Sequence, residues 1–120
     1  MDWFKFYVFA NVLIITLLAF NVSRLRISER VANGDGGKVS LKKAIRAHAN
    51  GVEHVLPYGL MMFALQESSL LVFLVLSFTL SRVFHGVSML GAFFNLRRLA
   101  ALLTYVSEGA ALVVLGGSLF

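Results

Sequence analysis

The chain has 120 residues, 58% hydrophobic and 14% charged, with no cysteine and a formal net charge of +5. A soluble domain this small needs a mostly polar shell, so the composition points to one membrane-embedded domain over residues 1–120. Without cysteine there are no disulfides and no thiolate side chains, and three scattered histidines argue against a zinc site.

The first apolar segment covers residues 3–23. It opens with Asp2, carries only Lys5 and lacks a small-x-small cleavage pattern, so it reads as a retained span. Arg24 and Arg26 follow, where cations suit a helix C-terminus. The connection to the second segment centres on Asn33-Gly34-Asp35-Gly36-Gly37, a turn signal. Ser40 is placed to cap the second helix.

The second segment, residues 41–67, carries Arg46, Asn50 and Glu53 at i, i+4 and i+7, one face of a helix. Lipid does not tolerate such a stripe, so it implies a polar site between helices. Pro57 falls inside this span, where neighbouring helices can satisfy the freed carbonyl. The third segment, residues 70–94, carries Arg82 and His85, with Met89 one further turn along. The fourth, residues 98–120, begins beside Arg97 and Arg98 and includes Glu108.

Each segment is long enough for a hydrocarbon core of roughly 30 Å. Of eleven Lys and Arg, nine lie between Arg24 and Arg46 or at Arg97 and Arg98. The positive-inside rule therefore puts the first and third connections in the cytoplasm and both termini on the opposite side. The fold expected is all-α: an integral membrane four-helix antiparallel bundle. The same clustering argues against a nucleic-acid partner, because no binding module accompanies it.

Depth makes the polar groups converge. At 1.5 Å per residue, Glu53, Arg82 and Glu108 each lie about 16 Å below the basic surface, and Asn50 and His85 about 12 Å. Arg82 is expected to pair with Glu53 or Glu108 as a structural ion pair. Arg46 offers a fork for a carboxylate, Asn50 a donor and an acceptor, and Glu53 an acceptor for an ammonium. Together they suit a small zwitterionic ligand. A guanidinium at Arg97 or Arg98 could hold a bound thiol as thiolate. Two other functions fit the residues: a proton-coupled transporter using Glu53 or Glu108, and a non-catalytic subunit whose charges only fix packing.

The sequence Arg46-Ala-x-x-Asn50-x-x-Glu53 with Pro57 after it, together with Arg24-Leu-Arg26, Arg82-x-x-His85 and the basic pair Arg97-Arg98, resembles the family of membrane-associated proteins in eicosanoid and glutathione metabolism. The loop Asn33–Gly37 looks most like bacterial members. The resemblance implies a homotrimer in a bacterial inner membrane, with periplasmic termini and glutathione as co-substrate bound between subunits. It implies that Arg46, Asn50 and Glu53 bind glutathione, with His48 and His54 nearby, His85 lining the site, and Arg24 or Arg26 closing it from the first helix. It implies a thiol-facing arginine, for which ungapped counting from His85 favours Arg98 over Arg97. The implied activity is transfer of glutathione to, or peroxide reduction of, an apolar small-molecule acceptor arriving through membrane lipid. Ala49 and Met89 depart from the arginine and tyrosine of eicosanoid-forming members and argue against that chemistry.

Overall fold

The computed structural model describes residues 1–91 and 93–120. They form four helices: α1 Trp3–Glu29, α2 Val39–Ala64, α3 Leu71–Gly91 and α4 Phe94–Gly117. Among the described residues there is no strand. Three of the helices, α1, α3 and α4, are long and apolar enough to cross a membrane. The charged and polar residues of α2 keep it below that mark, although it is 26 residues long.

The first helix begins on an aspartate cap, with the Lys5 backbone N–H donating to Asp2 Oδ1 at 3.0 Å. It runs six residues past the expected end. Arg24, Leu25 and Arg26 are good helix formers and nothing in the stretch breaks the turn. The helix stops at Arg30, whose φ of 55° is left-handed and whose N–H closes onto the carbonyls of Arg26 and Ile27. Arg26 then donates to the carbonyls of Gly34, at 2.7 Å, and Ala32, at 3.4 Å, and so fastens the loop to the helix that precedes it. Within that loop Gly36 has a φ of 57°, and a Cβ there would stand 2.6 Å from Val31 Cγ2. Both facts demand glycine.

The expected Ser40 cap is displaced by two residues. Lys38 occupies the cap position without a side-chain bond, and Ser40 lies in the first turn of α2. Pro57 sits within α2 without ending it, and it leaves the Glu53 carbonyl without its usual intrahelical donor.

The bundle is antiparallel. The C-terminal ends of α1 and α3 and the N-terminal ends of α2 and α4 share one end, which collects the bases. α3 touches all three other helices, whereas α1 and α4 do not meet. The core lies toward the other end. Tyr58 stacks on Phe78 with centroids 3.9 Å apart, and Tyr7 leans on both. The two hydroxyls donate across helices, Tyr7 to the Val55 carbonyl at 2.7 Å and Tyr58 to the Leu74 carbonyl at 2.9 Å. Buried tyrosines need such partners, because an unpaired hydroxyl in hydrocarbon is costly.

Small residues let the helices approach. Ala44, Ala47 and Gly51 are buried on the core side of α2, and Gly59 receives Tyr7. Between α3 and α4 the seam is small and hydroxylic. Ser107 donates to Ser77 at 3.1 Å, and Ser81 and Thr104 lie 3.0 Å apart. Such seams replace the hydrophobic drive that lipid cannot supply between helices. The outer faces carry Phe9, Val12, Leu17 and Phe20 on α1 and Leu99, Leu102, Val106 and Val113 on α4, all exposed. In water they would be a liability; against acyl chains they are the expected surface.

Candidate functional site

At the basic end, α2, α3 and the start of α4 enclose an open hollow of about 310 Å³ lined by Arg46, Asn50, His85, Met89 and Arg97. That size lies at the lower edge of the roughly 300–1,000 Å³ usual for small-ligand sites. Arg46 projects from the exposed side of α2, one turn before Asn50. It makes no hydrogen bond or ion pair among the described residues. His85 is 8% exposed and closes the inner wall. Arg97 extends over the mouth, with Nη1 3.7 Å from Met89 Sδ and its guanidinium 5.1 Å from the Phe94 ring. A smaller hollow of about 220 Å³ adjoins it through Met89 and Arg97 and adds Lys43, Ser88 and Phe94. Three cations and no carboxylate line the two hollows. The arrangement is built to receive an anion.

Beneath the hollow lies Arg82, only 3% exposed. Its Nη1 donates to Asn50 Oδ1 at 2.9 Å and its Nη2 to Thr104 Oγ1 at 2.8 Å. Nε is buried without a partner. With the Asn50 carbonyl engaged below, its amide N–H groups are left for the hollow. Arg82 thus fixes which way Asn50 faces.

The expected ion pair takes a different form. Arg82 bonds neutral oxygens on α2 and α4 instead of Glu53 or Glu108. Glu108 is paired with His54, at 2.6 Å between Oε1 and Nδ1, and Tyr105 sits edge-on to the same imidazole at 5.6 Å. Glu53 is exposed and makes no ion pair among the described residues, where the ion pairs are Lys5–Asp2, Lys38–Glu29 and His54–Glu108. Arg82 and the His54–Glu108 pair do link α2, α3 and α4. Depth alone could not tell which neighbour each group would choose.

The structure gathers only part of the expected site. Arg46, Asn50, His85 and Arg97 come together. Arg98 does not line the hollow; it lies on the Phe94 face, 4.4 Å from the centroid. The α1 arginines stay apart within the chain. Arg26 is spent on the loop carbonyls, and Arg24 bonds Asn21 Oδ1 at 2.9 Å in a separate hollow. His48 is half-buried and lines neither hollow, and His54 is held by Glu108. Sequence reasoning missed Thr104 and Lys43. Thr104 carried a faint signal, a hydroxyl one turn before Glu108 on the same helix. Among the described residues no group of His, Asp and Glu is assembled to hold a metal ion.

Antiparallel membrane-spanning helices with a cation-lined hollow at one end define an integral membrane helical bundle. The chain matches the MAPEG family over residues 4–117 and belongs to it. It is similar to the inner membrane protein YecN of Escherichia coli K12, 39% identical over 61 residues, which is 51% of this chain and 46% of YecN. YecN of Escherichia coli O6:H1 matches equally. The matched segment thus covers less than half the length of these curated relatives. No solved structure matches the chain.

Proposed function

We propose that the protein binds glutathione in the Arg46–Asn50–His85–Arg97 hollow and transfers it to apolar electrophiles. The observation that carries this is the lining itself: two guanidiniums, one amide donor set by Arg82, one imidazole and no acid. Glutathione presents two carboxylates and a thiol. Arg46 suits one carboxylate in a bidentate fork. Asn50 donates to a second oxygen, and Glu53, one turn deeper on the exposed side of α2, is the acceptor for the ammonium.

In this reading Arg97, on the lining of the hollow, stabilises an entering thiol as thiolate. The thiolate sulfur then attacks an electrophilic carbon, a C–S bond forms, and the leaving group departs with the bonding pair. The nucleophile comes with the substrate, so the protein supplies position and anion stabilisation. Its apolar partner enters from the bilayer. Reduction of a lipid peroxide by two glutathiones is the companion chemistry of the same thiolate. The family resemblance supports a homotrimer in which a neighbour covers the open side of the hollow. The clustering of bases supports a cytoplasmic location for this end.

The test is glutathione consumption by detergent-purified protein with an activated haloarene. Turnover that falls with Arg97→Ala supports the reading. Tight glutathione binding with no turnover across several acceptors would leave a binder, and no binding at all would refute the site.

A further inference from the structure

A larger hollow lies elsewhere at the basic end. About 500 Å³ lies between the end of α1, the start of α2 and the end of α3, lined by Asn21, Arg24, Leu25, Ser40, Lys43 and Leu90. Its lining is mixed in a definite way: two cations and two neutral polar groups stand over two leucines. Arg24 has only the neutral Asn21 oxygen as partner, and Lys43 has no ion pair among the described residues. Of the acids on the adjoining loop, Glu29 is taken by Lys38 at 3.5 Å and Asp35 accepts from the Gly37 N–H at 2.9 Å. The start of α2 adds to the field. It has no side-chain cap and no acid in its first turn, so its N–H groups and dipole favour an anion beside Ser40.

These cations sit where the apolar faces of α1 and α3 give way to the basic loop, the level of lipid headgroups. Leu90 is 45% exposed, and Ile27, just beyond Leu25 on α1, is 80% exposed. A soluble anion has no use for apolar groups beneath its charge, whereas a lipid has a phosphate and a glycerol–acyl stem in that order. We propose that this hollow seats the headgroup of an anionic phospholipid, with the phosphate between Arg24 and Lys43 and the stem over Leu25 and Leu90. The position between helices distinguishes it from general attraction of the basic loop to the membrane surface.

The experiment is native mass spectrometry of the purified full chain after equilibration with phosphatidylglycerol or phosphatidylcholine of identical acyl chains. The wild type is expected to retain phosphatidylglycerol preferentially. Each of Arg24→Gln and Lys43→Gln should weaken retention about fivefold, and the pair roughly thirtyfold. Arg30→Gln, a base of the same loop outside the hollow, should change it less than twofold. Leu90→Asn, which leaves both cations in place and adds no charge, should weaken phosphatidylglycerol retention at least twofold. Equal retention of the two lipids, or an Arg30→Gln effect as large as that of Arg24→Gln, would overturn the proposal. Displacement by millimolar inorganic phosphate would make the hollow a free-anion site instead, and displacement by glutathione would return Arg24 to the thiol site; either result overturns the lipid assignment.

Discussion

Replacing Thr104 with valine removes one oxygen from the seam beneath the hollow and keeps the side-chain shape. Thr104 Oγ1 accepts from Arg82 Nη2 at 2.8 Å, and Arg82 has no water to turn to at 3% exposure. Its Nε is already unpartnered, so the variant leaves a second guanidinium edge bare. Neutral hydrogen bonds between membrane helices average about 0.6 kcal/mol and reach about 1.7. Bonds to charged groups in proteins contribute about 1.5–3 kcal/mol. Charge and burial together place this one where the two ranges meet, at about 1.6 kcal/mol, roughly fifteenfold in the folding equilibrium. The assay is denaturant unfolding in mixed micelles, followed by far-ultraviolet circular dichroism. Thr104→Ser, which keeps the oxygen, should recover most of the loss. A change below about 0.5 kcal/mol for Thr104→Val would mean that Arg82 is solvated, and the argument for its control of Asn50 would fail.

Other outcomes follow from the same geometry. Gly59→Val should cost about 1–3 kcal/mol in that unfolding assay, because a Cβ at this position stands 3.2 Å from Tyr7 Cε1 and a branched side chain forces α1 from α2. Arg97→Ala should lower glutathione turnover at least tenfold and Arg98→Ala less than threefold, since only Arg97 lines the hollow. The Asp2 carboxyl is held below its ordinary value, first by the Lys5 backbone N–H and then by the Lys5 side chain. A lowered carboxyl stabilises the fold above the ordinary aspartate value and loses that effect as pH falls through the lowered one. Amide protection in the first turn of α1, taken relative to the intrinsic exchange rate at each pH, should therefore stay constant from neutral pH down to the ordinary aspartate value and fall only below it.

Much of the architecture was legible because lipid imposes it. Four long apolar runs broken by polar links allow few folds, and the Gly-rich loop marked itself by composition. Helix ends were less legible. Arg24 and Arg26 read as a terminus by charge, yet they are helix formers, and α1 ends only where Arg30 turns left-handed. Spacing and depth grouped Arg46, Asn50 and His85, and these three line one hollow. Spacing also grouped Glu53, which helix geometry puts on the same stripe but which lies one turn past the hollow. Counting from the sequence favours Arg98, whereas Arg97 is the one that lines the hollow. Counting from His85 assumes a fixed path between α3 and α4, whereas rotation of α4 about its axis decides which arginine turns inward. The His54–Glu108 pair shows the limit of depth as a guide, since several partners share one level and only packing selects among them.

The account rests on an anion entering the hollow against Arg46. Equilibrium titration of glutathione into detergent-purified wild type and Arg46→Ala tests that directly. The guanidinium–carboxylate bonds lost should weaken affinity by about ten- to a hundredfold, with the helical content unchanged. Equal affinity in the two proteins would contradict the account and place glutathione elsewhere on the molecule.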